Sequence, residues 1–222
     1  EWATDALLAC AESNVPVVFL RIDGSLRARV LGIPGRDVLL DINAALENLL
    51  ESPDGVERYQ DWFAAREQQA RLALVRTSLH NCRSTDHSIV KQFIRQQAVR
   101  QVRSCDLKKF DHQIYGLLIA HIDRRLKISN INPDQIILSV AGINMIRDIS
   151  NLLIWKLQDQ KLRYLKHLHN QARRQGIALP RINWHHAVLF VEQNLHAMDE
   201  YYDEILKQFH VWLLQRTYAH AD

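Results

Sequence analysis

The residues with the clearest chemistry are cations gathered in the middle of the chain. Lys91 and Arg95 stand one helical turn apart, Arg100 and Arg103 nearly so. Lys108 and Lys109 follow, then Arg124, Arg125 and Lys127. A second set comprises Arg163, Lys166, Arg173 and Arg174. Rows of this kind hold phosphates by charge, without reading base sequence. Gln92, Gln96, Gln97 and Gln101 lie among them and can hydrogen-bond backbone or bases, and Asp106 is the one acid between Lys91 and Lys109. The overall charge of +3 conceals this segregation: residues 1–67 sum to −6, residues 68–183 to +13 and residues 184–222 to −4. A basic centre between acidic flanks predicts a polyanionic partner, DNA before others. The plain alternative is a non-enzymatic helical interaction module whose basic surface is only solvated.

Other catalytic chemistry finds little footing. The cysteines Cys10, Cys82 and Cys105 are odd in number, with no CxxC pair and no secretory segment, which predicts reduced thiols in a cytoplasmic protein. The sequence contains no GxSxG and no glycine-rich phosphate loop. His167 and His169 are spaced wrongly for one helix face, and no cysteine cluster supports zinc. No apolar stretch approaches the ~20 residues that span a bilayer, so no membrane partner is expected. The first residues, Glu1 to Asp5, lack a basic n-region and so do not read as a signal peptide, and without an initiator Met a domain, fragment or processed chain is expected.

The elements that must position these side chains are mostly helices. Only 7 Gly and 5 Pro interrupt 222 residues, which favours long helices over a strand-rich fold. A helix from Thr4 to about Ser13 is followed by Val15-Pro16-Val17-Val18-Phe19-Leu20, which reads as a buried strand. Asp23-Gly24 supplies a hairpin turn and residues 25–31 the returning strand. Beyond residue 40 the period becomes helical, with Ile42, Leu46, Leu49 and Leu50 on one face. Leu107, Phe110, Ile114, Leu117, Leu118 and Ile122 mark another amphipathic helix. Asn132-Pro133-Asp134 is a good helix start. Ile136 to Leu157 reads as one central buried helix, kinked at Gly142, and Gly176 suits a helix C-terminus. The last helix begins near Asn183, with a seam of Val188, Val191, Leu195, Met198, Tyr202, Ile205, Phe209 and Trp212. The expected fold is therefore mainly α: a strand hairpin plus helix in residues 1–40, then a multi-helix domain in 41–222.

The order of parts at the start of the chain is unusual. Alanine- and leucine-rich helix, the Val15–Leu20 strand, Asp23-Gly24 and Leu26 to Val30 lead to Asp37-Val38-Leu39-Leu40, and later to the Arg71–Asn81 helix. This succession resembles the domain junction of the CRISPR-associated integrase family, the metal-dependent DNA endonucleases of spacer acquisition. The resemblance covers roughly residues 1–81; from Cys82 onward only the helical character matches. It implies that residues 1–40 are the C-terminal part of a β-rich N-terminal domain. It further implies DNA as substrate, Mg²⁺ or Mn²⁺ as cofactor, a homodimer, and a small adaptation partner subunit.

That family holds its metal with a Glu, a His and an Asp of the helical domain, the ion neutralising phosphoryl charge and placing the attacking oxygen. No glutamate occurs between Glu67 and Glu192, where the family's Glu would lie. The resemblance makes His186 and Asp199, with Glu192 between them, the metal candidates. On one continuous helix, however, His186 and Asp199 sit about 220° apart around the axis. His185, Glu192, His196 and Asp199 do share a face, one where solvated polar residues are expected anyway. Asp111, Asp123 and Asp148 could stand in for the missing Glu, but Asp123 precedes Arg124 and Arg125 and Asp148 follows Arg147, which favours local pairing. No catalytic residue is assigned, and the chain is expected to be a divergent, DNA-binding member whose catalysis is lost or reassigned.

Overall fold

The computed structural model describes residues 4–12, 17–20, 26–30, 42–129, 131 and 143–218. These are mainly helical. The elements are α1 (Thr4–Glu12), β1 (Val17–Leu20), β2 (Leu26–Val30), α2 (Ile42–Glu51), α3 (Gly55–Thr77), α4 (His87–Val99), α5 (Ser104–Ile128), α6 (Met145–Lys156), α7 (Gln158–Arg174) and α8 (Trp184–Tyr218). Two compact units divide the chain, Glu1–Ala45 and Leu46–Asp222. In the first, β1 runs antiparallel to β2 with Val17 opposite Val30 and Phe19 opposite Ala28, and the register shifts before Leu20. The Asp23-Gly24 turn and the Asp37–Leu40 segment lie outside the described residues.

In the second unit, periodic apolar stripes explain the packing. On α5, Leu107, Phe110, Ile114, Leu118, Ile122 and Leu126 are buried at steps of three and four. On α4, Val90, Ile94 and Ala98 form a narrower stripe. Val90 and Ile94 join Ala70 and Leu74 of α3, Leu79, Cys82, and Trp155 of α6 in one core cluster. A second, aromatic cluster binds α3 to α8. Phe209 lies 5.0 Å from Trp62, 5.8 Å from Phe63 and 6.0 Å from Tyr59, measured between ring centroids. Such tilted and edge-on contacts add to the area that each ring buries.

Several helix ends follow local rules. Asn183 Oδ1 accepts the backbone N–H of His186 at 3.3 Å, as an N-cap does. Gly176 has φ +75° just past α7. Its N–H reaches Arg173 O at 3.1 Å while that of Ile177 reaches Ala172 O at 2.9 Å, a Schellman closure. Other expectations are corrected. Of the expected Ile136–Leu157 helix the described part is α6, which starts at Met145, where the Asn144 side chain caps Arg147 N at 2.9 Å; residues 136–142 lie outside the described residues. Asn132–Asp134 and Gly142 lie outside the described residues. Leu195, counted in the seam of the last helix, is 42% exposed, and Ala187 and Phe190 join the buried stripe. The reason is that α8 packs against both α5 and α6, so its buried face follows two neighbours rather than one coiled-coil partner.

Candidate nucleic-acid interface

Helix α4 places the cations. Asp86 starts it, its Oδ1 accepting the backbone N–H groups of Ser88 (2.9 Å) and Ile89 (3.1 Å) and the Ser88 hydroxyl (2.6 Å). The Ser88 hydroxyl, then the Ile89 N–H, hold the Asp86 carboxyl below its ordinary value. With Val90, Ile94 and Ala98 buried, 100° per residue puts Lys91 and Arg95 on one flank of the stripe and Phe93 and Gln97 on the other. A concavity opens on each side.

The larger is a cleft of about 630 Å³ walled by α3 to α8, and Lys91, Arg95 and Lys108 line it. These three have no ion pair among the described residues. Its carboxylates are already engaged. Asp111 Oδ1 meets Lys161 Nζ at 3.1 Å, with Lys161 only 8% exposed. Glu67 Oε1 accepts Arg71 Nη1 at 2.8 Å and Trp155 Nε1 at 2.8 Å, and lies 3.0 Å from His87 Nδ1. The cleft therefore keeps a positive rim. On the other flank, a groove of about 260 Å³ brings Gln97 and Gln101 together with Arg163 and Lys166. Arg163 is paired with Asp159 at 2.7 Å.

The remaining predicted cations are spread more widely. Arg100 closes α4 and Arg103 opens α5, so they cap successive helices rather than share one face. Lys109, Arg124, Arg173 and Arg174 are exposed outside both concavities. Arg125 is committed within the protein: Nη2 meets Asp203 Oδ1 at 2.5 Å, Nε lies 3.5 Å from Asp199 Oδ1, and its guanidinium covers the Tyr202 ring at 4.9 Å. Docking of α5 on α8 supplies those acids, so Arg125 is a clamp between helices and not a free phosphate ligand. Asp123 pairs with Lys127 at 2.8 Å rather than with Arg124 or Arg125, because four residues close one helical turn.

The metal candidates do not converge. His186 Nδ1 lies 2.6 Å from Asn183 Oδ1, and burial, with help from His185, holds that imidazole below its ordinary value. Glu192 is exposed. Asp199 Oδ1 lies 3.0 Å from His121 Nε2. On the alternative face, His196 pairs with Glu200 at 3.3 Å. Among the described residues no group of three or more His, Cys, Asp or Glu side chains is placed to hold an ion. The described His186, Glu192 and Asp199 thus do not form the ligand set that the resemblance implies. Asp148 accepts a hydrogen bond from Tyr59 Oη at 3.2 Å and pairs with Arg147 at 3.3 Å. Burial pushes both the Asp148 carboxyl and the Tyr59 phenol up.

Two features of the cleft escaped sequence reasoning. Lys161 and Asp111 belong to different helices, and the Glu67 hub draws on α3, α4 and α6; only its Arg71 arm, four residues on, is a pair that helical spacing could have signalled. No protein-family model, curated protein or solved structure matches the chain. Among the described residues no helix is long and apolar enough to cross a membrane.

Proposed function

We propose that this chain binds DNA through its phosphates, along α4 and the concavities that flank it. The observation that carries the reading is that Lys91, Arg95 and Lys108 project into one cleft without acidic partners among the described residues, while both carboxylates of that cleft are consumed elsewhere. Cations so placed exchange small counterions for phosphate oxygens. Gln97 and Gln101 add neutral donors beside Arg163 and Lys166 on the second flank.

The resemblance of residues 1–81 supports placing the chain with the CRISPR adaptation integrases, as a divergent member that holds DNA. In that reading residues 1–40 end a β-rich N-terminal domain, and the protein works as a homodimer with a small adaptation subunit. The missing glutamate between Glu67 and Glu192 and the scattered His186, Glu192 and Asp199 support holding over cutting. The test is binding to duplex and branched DNA over a salt series, with and without Mg²⁺ or Mn²⁺, scoring nicking in the same tubes. Affinity should fall linearly on logarithmic axes, and Lys91→Gln/Arg95→Gln/Lys108→Gln should flatten the slope by about 0.9 for each phosphate lost. Absence of binding at moderate salt sinks the DNA reading and leaves the helical interaction module. Metal-dependent nicking overturns the non-catalytic part alone.

A further inference from the structure

The cleft beside α4 is more than a strip of charge. Its volume of about 630 Å³ lies within the range of small-molecule sites. Below the rim of Lys91, Arg95 and Lys108 its floor is aliphatic, with the buried Ile94, Leu107, Ile114 and Leu118. A DNA backbone running over the surface uses the rim and leaves that floor empty.

Besides the Lys161–Asp111 pair, two neutral amides line the cleft, Asn151 of α6 and Gln158 of α7. Gln158 is 7% exposed; its Nε2 donates to Ile154 O at 3.0 Å, and its Oε1 is buried with no hydrogen-bond partner among the described residues. A buried amide oxygen without a partner is unusual in a folded protein. Tyr115 adds an aromatic face on the α5 wall.

An acyl anion would use the rim and the aliphatic floor but offer nothing to the amides. A sugar phosphate would use the rim and waste the floor. A flat heterocycle bearing N–H groups, carried on a phosphorylated sugar, uses all three. We propose that this cleft binds a free nucleoside monophosphate, its phosphate on Lys91, Arg95 and Lys108, its base against Tyr115 and the floor, and an amino group directed to Gln158. The inference deepens the phosphate-binding reading and rests on it for the charge at Lys91 and Arg95.

The experiment is calorimetric titration of the protein with dAMP and dCMP, beside inorganic phosphate, adenosine and decanoate. One saturable site for dAMP or dCMP is expected, tighter than for phosphate, adenosine or decanoate. Lys91→Gln/Arg95→Gln, both at exposed positions, should weaken it about tenfold or more, the loss of one charge-assisted contact or beyond. Gln158→Leu should weaken dAMP while leaving the heat of phosphate binding unchanged, and Lys207→Gln on α8 serves as the neutral control. The inference is overturned if dAMP and dCMP do not saturate, if phosphate or decanoate binds as tightly as they do, or if Lys91→Gln/Arg95→Gln makes no difference. Duplex binding by the same samples separates the two ideas. Duplex bound without nucleotide removes this inference alone, whereas loss of both removes the phosphate reading with it.

Discussion

Replacing Glu67 by alanine should destabilise the helical unit through one oxygen. Glu67 Oε1 serves Arg71 Nη1 at 2.8 Å, Trp155 Nε1 at 2.8 Å and His87 Nδ1 at 3.0 Å. The three partners differ in what they lose. His87 has a half-exposed side chain, so its arm contributes about 0–1 kcal/mol. The Arg71 side chain is 13% exposed and is the better-shielded ion pair, at about 1 kcal/mol. Trp155 is 6% exposed, and an indole N–H left without an acceptor there costs about 1–3 kcal/mol. Together Glu67→Ala should lose about 3 kcal/mol, which for a chain of this size lowers Tm by about 6–12 °C. Glu67→Gln keeps an acceptor for Trp155 and should lose only about 1 kcal/mol. Urea unfolding followed by tryptophan fluorescence measures both. A double-mutant cycle with Trp155→Phe should return a coupling of about 1–2 kcal/mol. The reasoning fails if Glu67→Ala stays within about 0.5 kcal/mol of wild type, or if Glu67→Gln is as damaging as Glu67→Ala.

Asp148 gives a pH signature. Burial raises its folded-state value above the unfolded one, so the folded chain binds this proton more tightly and stability falls as pH rises from the ordinary carboxylate value through the raised one. Asp148→Asn, which still offers Tyr59 an acceptor, should match wild type at the acid end and exceed it above that window; parallel stability curves over about pH 3–7 would contradict this. At the α2–α3 corner a Cβ on Gly55 would collide with the Leu49 carbonyl, so Gly55→Ala should cost about 1–3 kcal/mol. Gly116 of α5 has open space where a Cβ would go, and Gly116→Ala should instead stabilise by about 0.5–1 kcal/mol. Thermal melts of the two variants should move in opposite directions, and a shared direction refutes the packing argument.

What the sequence determined by itself is what local geometry enforces. The stripe from Leu107 to Ile122 fixes the buried face of α5, since a period of 3.6 leaves those side chains one way to face. The start of the last helix near Asn183 and Gly176 as a helix stop were readable because the groups that set them lie within a few residues. The flanking positions of Lys91 and Arg95 beside Val90, Ile94 and Ala98 follow from the same arithmetic.

Tertiary structure decided which charges remain for a ligand. Arg125 and Arg124 are neighbours of one type, yet Arg125 is spent on Asp199 and Asp203 across a helix interface while Arg124 is exposed. Glu67 reaches Trp155 and Asp111 reaches Lys161 only because α6 and α7 fold back over α3 and α5. Asp199 was grouped with His186 and Glu192 only through the resemblance, and docking of α8 on α5 sets it beside His121. Helical periodicity decays within a turn or two, whereas the partner of a charge is whichever side chain another helix brings within about 4 Å.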